Sequence, residues 1–196
     1  MQIIAATNNK GKIEEIAAIL GPLGITVIGQ RDAGLMLEVE ETGTTFEENA
    51  LLKAEAAVQL SGLPALSDDS GLCVDALGGA PGVYSARYAG EHATDEACMQ
   101  KLLLALRDVP MAERTAHFTS VVALVMPDGR RFTAEGRAEG HIALAPAGEG
   151  GFGYDPIFYC DARKKTYGEM TPEEKNARSH RFRALMRLKE ILQEEL

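Results

Sequence analysis

The run Ile3-Ile4-Ala5-Ala6 ends in the small polar turn Thr7-Asn8-Asn9-Lys10-Gly11-Lys12, and a helical stretch from Ile13 to Leu20 follows. A strand that turns through small polar residues into a helix aims several backbone N–H groups, and the positive end of the helix dipole, at one spot. Lys10 and Lys12 in the same turn make that spot attractive to a phosphate chain. It is not a Walker A loop, because the first glycine is missing and Ile13 stands where a P-loop needs a Ser or Thr for magnesium. The dinucleotide Gly-x-Gly-x-x-Gly pattern is absent too. Taken alone, the stretch fits an ordinary strand-to-helix turn with solvated lysines equally well.

The alternation continues. The spacing predicts a strand over 2–6, a helix over about 11–20 stopped by Gly21-Pro22, a strand over 25–29 and a helix over 45–61. Two overlapping capping boxes, Thr44 with Glu47 and Thr45 with Glu48, mark the start of that second helix. A short strand over 64–67 leads into Asp68-Asp69-Ser70-Gly71, and Thr94 caps a helix with Leu102, Leu103 and Leu106 on its buried side. After residue 114 the chain turns β-branched and apolar. Thr115 to Met126 and Phe132 to Leu144 read as long strands joined by the hairpin turn Pro127-Asp128-Gly129-Arg130. A short helix starts at Thr171-Pro172, and a last one runs from Ser179 to Glu194 with Leu185, Leu188 and Leu192 on one face. The expected architecture is mixed α/β with one long antiparallel pair, and an inter-lobe cleft would suit a ligand.

A chain of 196 residues suits one domain spanning 1–196, or one with a small lobe. The net charge of −9 argues against a nucleic-acid polymer as partner but leaves room for a small phosphorylated ligand, which feels local charge. Cys73, Cys98 and Cys160 lie far apart with no C-x-x-C, and pack as small apolar side chains. With no signal-peptide pattern and no transmembrane-length apolar run, the cytoplasm is the expected location and no membrane partner is expected.

Four stretches carry candidate chemistry. Successive side chains of an extended Asp68-Asp69 point to opposite sides, so one carboxylate can face a cleft while the other braces a turn; all four residues of that tetrapeptide are also plain turn formers. In Leu37-Glu38-Val39-Glu40-Glu41, extended chain puts Glu38 and Glu40 on one side, as a hard divalent cation or a merely solvated acidic loop would allow. Gly150-Gly151-Phe152-Gly153-Tyr154-Asp155-Pro156 places two aromatics between glycines, poor core material but suited to stacking on a base at ~1–3 kcal/mol. Lys175, His180 and Arg181 near the last helix offer donors for a carbonyl or phosphate oxygen.

Together these blocks resemble the noncanonical purine nucleoside triphosphate pyrophosphatases, the inosine/xanthosine triphosphatases also called Ham1-like proteins. The resemblance rests on Thr7–Lys12, Glu40-Glu41-Thr42-Gly43, Phe46–Ala50, Ala65–Leu72, Gly78–Arg87, Gly151–Pro156 and Ser179-His180-Arg181, in the family's order and over almost the whole chain. Asn8 departs from the Gly that many members carry. The resemblance implies an α/β fold, a mixed elongated central sheet with flanking helices forming two lobes around a deep nucleotide cleft, usually a homodimer, and Mg2+-dependent hydrolysis of ITP, dITP and XTP to the monophosphate and pyrophosphate. By position it assigns phosphates to Thr7, Asn8, Asn9, Lys10, Gly11 and Lys12, with Lys53 as an extra contact. Magnesium falls to Glu40 and Asp69, catalysis to Asp69, and a substrate contact to Ser70. Phe152, Gly153, Tyr154 and Asp155 take base and sugar, with Lys175, His180 and Arg181 completing the base pocket. The alternatives are a Maf-type pyrophosphatase acting on pyrimidine or modified nucleotides, against which the 152–155 and 179–181 blocks speak, and a nucleotide sensor without catalysis.

Overall fold

The computed structural model describes residues 1–177 and 179–195. In chain order the elements are β1 (Gln2–Ala5), α1 (Lys10–Leu20), β2 (Thr26–Gly29), α2 (Phe46–Ser61), β3 (Ala65–Val74), α3 (Asp95–Ala105), β4 (Thr115–Val125), β5 (Arg131–Ile142), β6 (Phe158–Cys160), β7 (Lys165–Thr166), α4 (Pro172–Asn176) and α5 (His180–Glu195). The strands form one sheet in the order β2-β1-β3-β4-β5-β6-β7. β1 runs parallel to both neighbours, Ile4 lying opposite Ile28 of β2 and Ala65 of β3, whereas β5, β6 and β7 pair antiparallel. The sheet is mixed and flanked by helices, as expected.

Local signals explain most boundaries. Asn9 caps α1 and Thr45 forms a capping box with Glu48 at α2. The overlapping Thr44–Glu47 box does not form; Thr44 gives both its N–H and its hydroxyl to Glu48 instead. The turn after β4 closes through Met126 N–H to Arg130 C=O, with Arg130 N–H also bonded to the Asp128 carboxylate. One expectation needs correction. The strand predicted over 64–67 runs on through Asp68-Asp69-Ser70-Gly71 to Val74, so both aspartates sit in mid-strand rather than in a turn. β3 lies between β1, which pairs with Ala65 and Leu66, and β4, and its place in the sheet overrides the turn preference of the four residues.

The chain divides into two compact units, with β3, β4 and β5 each contributing residues to both. The first comprises Met1–Asp69, Ser120–Gly136 and α5. On one sheet face Ile3, Ala5, Leu66, Val122 and Leu124 pack against Ile16, Ile19 and Leu20 of α1 and Leu185, Leu188 and Leu192 of α5. On the other face Ile4, Ala65, Val121, Ala123 and Val125 pack with Ala50, Ala54 and Ala57 of α2. The period-2 alternation of the strands thus separates two layers of helix. The second unit, Ser70–Thr119 and Arg137–Ser179, has its own core around Leu72, Leu102, Phe118, Ile142, Phe158 and Tyr167. Cys98 is buried in that core, as an apolar side chain would be. No described helix is long and apolar enough to cross a membrane.

Gly136 of β5 lets the start of α5 lie directly on the sheet. A Cβ at that position would stand 2.2 Å from the His180 carbonyl oxygen and 2.4 Å from the Ala184 nitrogen, both backbone atoms that cannot step aside cheaply. Gly136→Ala is therefore expected to lower stability by about 1–3 kcal/mol, read as a fall in the urea midpoint. An unchanged midpoint would mean that α5 shifts without cost.

Candidate active site

The turn after β1 is built by its own side chains. Asn9 Oδ1 accepts from Lys12 N–H at 3.1 Å, Thr7 Oγ1 accepts from Asn9 N–H at 3.2 Å, and Asn8 Oδ1 accepts from Gln30 Nε2 at 3.0 Å. Thr7 and Asn9 shape the turn, and Asn8 ties it to the residue after β2. Lys10 and Gly11 are exposed, whereas Lys12 turns inward and donates to both Asp68 carboxylate oxygens at 2.9 Å.

Within β3, Leu66 and Asp68 face the α1/α5 layer, while Ala65, Ser67 and Asp69 face α2; the Ser67 hydroxyl donates to the Ala50 carbonyl of α2. The two aspartates therefore meet different partners, as their alternation predicts. On the first face Arg181 Nε donates to Asp68 at 3.1 Å, and Arg181 Nη1 lies 3.6 Å from Glu15 of α1. On the second, Lys53 Nζ donates to Asp69 at 3.2 Å and to Glu41 at 2.8 Å, and Asn49 Nδ2 contacts Asp69 at 3.4 Å. Burial works against the Asp68 charge, but the Lys12 and Arg181 cations outweigh it and hold this carboxyl far below the usual range. For Asp69 burial wins: it raises the carboxyl despite Lys53, and the nearby Glu41 charge raises it further. Burial also leads in raising Glu15, with Arg181 opposing. Ser70 follows in the strand, half-buried.

These groups adjoin a cavity of about 670 Å³ lined by Thr7, Asn8, Lys12, Lys53, Asp68 and the extended segment 37–40. It lies at the carboxyl end of β1, where the chain leaves to α1 on one face and α2 on the other, the switch point at which open α/β sheets take ligands. Glu38 and Glu40 are both exposed and line the cavity, as the extended spacing predicts. Among the described residues no group of three or more His, Cys, Asp or Glu side chains forms a metal cage. That donor set fits magnesium, which takes one or two carboxylates and completes its shell with water and phosphate oxygens. The position between Asp69 and Glu41 already attracts a cation, the Lys53 ammonium.

A second group forms within the other unit. Gly151 has φ +78°, and the Asp155 carboxylate fills the space a Cβ would need, its Oδ2 only 2.0 Å from that position. The same oxygen accepts from Phe152 N–H at 2.9 Å and from the Lys175 ammonium. Lys175 Nζ stands 4.4 Å from the centre of the Phe152 ring, which is 61% exposed. The expectation that both aromatics avoid the core holds for Phe152 and fails for Tyr154. Tyr154 is buried in the core of the second unit, because its hydroxyl finds an acceptor there, the Ser85 carbonyl at 2.7 Å. His180 is buried at the first position of α5.

Glu15 and Gln30 join the first group without having been singled out from sequence, whereas Glu41, Asn49 and Asp68 stood in quoted motifs but were given no ligand role of their own. Asn49 and Lys53 carried a usable signal. They are i and i+4 on α2, and a buried Asn beside Ala50 and Ala54 on a helix face is costly without a partner.

Residues 3–191 match the Ham1 family. A dITP/XTP pyrophosphatase of Geobacter sulfurreducens is 54% identical over 97% of this chain and 96% of its own length, and one of Shigella flexneri is 50% identical over 97% and 98%. Among solved structures, a HAM1 protein from Coxiella burnetii is 45% identical with a TM-score of 0.92, covering 99% of both chains. The Staphylococcus aureus Ham1 protein is 43% identical with a TM-score of 0.91 over 100% of both. The motifs, the mixed sheet and these full-length likenesses agree, and the chain belongs to the Ham1 family.

Proposed function

We propose that this chain hydrolyses noncanonical purine nucleoside triphosphates, dITP, ITP and XTP, at the α–β bond, releasing the monophosphate and pyrophosphate. The observation that carries the reading is the pair of buried contacts at adjacent residues of β3, Lys12 with Asp68 and Lys53 with Asp69, beside a cavity edged by Glu38 and Glu40. The relatives named dITP/XTP pyrophosphatase support the substrate class.

Pyrophosphate leaves only if its growing charge is neutralised. Lys12, at the N-terminal turn of α1, supplies a fixed cation to the phosphate chain, together with the helix dipole. Glu40 and Asp69 would hold a magnesium ion, which supplies further charge neutralisation when bound. Asp69 is braced by Lys53 and Asn49, so its carboxylate is held in one orientation toward an attacking water, whose proton it accepts. Phe152 offers its exposed ring to the base, with Asp155 and Lys175 fixing that ring's surroundings. Arg181 carries five N–H donors; Nε and Nη1 are turned to Asp68 and Glu15, and the rest of the fork reads O6 of a 6-oxo purine. An adenine amino group offers no acceptor there, and the unpaired donor disfavours ATP.

The product test separates this reading from its rivals. With magnesium present, ion-exchange analysis of an ITP digest should show IMP and pyrophosphate with no IDP accumulating. Stepwise release of free phosphate overturns the α–β assignment, and pyrimidine triphosphates outpacing ITP would favour the Maf-type alternative. Asp69→Asn should keep the fold by circular dichroism yet lose roughly 10²–10⁴-fold in turnover, the range for a positioned acid–base group. Wild-type turnover in that variant removes Asp69 from the chemistry. Arg181→Ala should cost ITP more than ATP, narrowing their kcat/KM ratio by roughly one to two decades. Equal losses for both would place Arg181 with the phosphates or with folding, through its contacts to Asp68 and Glu15.

A further inference from the structure

Phe152 presents an exposed ring from a loop with glycines at 150, 151 and 153, the kind of segment that would sample many conformations and forfeit affinity on being ordered. Backbone bonds hold it, among them Gly150 N–H to the Gly168 carbonyl at 2.8 Å, and bonds that involve side chains add to them. Phe152 N–H bonds to Asp155 within the loop, the Tyr154 hydroxyl bonds to Ser85 in the core, and Gly153 N–H bonds to Asp95 Oδ2 at 2.7 Å. Of these last, the first is local, and the second fixes Tyr154, whose ring is buried in the core. The third comes from a charged residue 58 positions away, on the first turn of α3.

An acidic residue in a first helical turn usually serves the helix dipole. Here that task has other holders: Thr94 caps α3 by accepting from Ala97 N–H, and Glu96 is also in the first turn. The Asp95 carboxylate instead reaches across to the loop, in a short charge-assisted bond of the stronger class. Gly153 has φ +60°, a conformation that aims its N–H at Asp95 and that most other residues resist. Asp95 also lies near enough to Tyr154 for its charge to add to burial and Cys98 in holding that hydroxyl protonated.

Resting on the reading above, we propose that Asp95 is a positioning residue for base recognition: its bond to Gly153 fixes the backbone that presents the Phe152 ring. It touches neither base nor phosphate, and acts only through the loop.

Calorimetric titration with IMP, which carries a base, and with pyrophosphate, which does not, tests this on the full chain. Asp95→Ala should weaken IMP by about tenfold, the size expected when a preorganised loop loses one hydrogen bond to a charged group. Pyrophosphate affinity should stay within twofold of wild type. Asp95→Asn keeps an oxygen acceptor for Gly153 N–H and should recover most of the lost IMP affinity. Unchanged IMP binding in Asp95→Ala, or equal weakening of both ligands, overturns the proposal, as does failure of Asp95→Asn to recover. Because the titrations read binding, they decide on Asp95 independently of pyrophosphate release by the wild type, whose absence would count against the hydrolase reading instead.

Discussion

Two buried aspartates in succession on one strand set the terms for the first unit. Side chains alternate along β3, so Asp68 and Asp69 cannot share a partner. A buried carboxylate without a cation is costly, and breaking such a pair from one side typically costs about 3–5 kcal/mol. Each aspartate therefore needs its own cation from its own helix layer. Lys12 and Arg181 arrive from α1 and α5, and Lys53 from α2. The arrangement works only because β1 sits between β2 and β3 at a switch point, which sends α1 and α2 to opposite faces while keeping their ends near one strand edge. A one-residue slip of β3 would hand each aspartate to the wrong layer, so the ion pairs also fix its register.

The two aspartates differ in consequence. Asp68 meets two cations and stays ionised, a fixed charge that orients Lys12 and Arg181. Asp69 meets one lysine that it shares with Glu41, and burial keeps it more basic than a solvated carboxylate. Identical side chains one residue apart thus acquire different chemistry from the faces they occupy. A fixed anionic brace beside a more basic carboxylate is a division that the alternation of the strand creates by itself.

Legibility followed the range of the interactions. The first βα units, the cap of α2 and the hairpin after β4 were readable because their signals lie within a few residues. The extent of β3 was not, since Asp68-Asp69-Ser70-Gly71 looks like a turn until sheet neighbours pair with it. Glu38 and Glu40 were placed correctly on one side of an extended segment by spacing alone. Arg181 illustrates the opposite case: its position at a helix start was visible, whereas its ion pairs with Asp68 and Glu15 join residues more than 100 positions apart in the first instance, a through-space relation that no local pattern encodes. Tyr154 was misread because burial of its ring depends on an acceptor at Ser85, 69 positions away.

The charge inventory around the cavity bears on how a triphosphate could enter it. Glu15, Glu41, Asp68 and Asp69 pair with Lys12, Lys53 and Arg181 in this neighbourhood, and Glu38 and Glu40 add two more carboxylates at the cavity. Those cations are largely committed to carboxylates, so little net positive charge remains for a polyanion. Coulomb repulsion between phosphate and carboxylate oxygens across a few ångströms is large where water is scarce. Glu40, with Glu38 beside it, is exposed at the cavity and would hold a divalent cation, whose charge would offset that repulsion. On the proposed reading, the acid-rich rim would disfavour a bare triphosphate, and binding of the nucleotide would be linked to binding of the ion through the same few carboxylates.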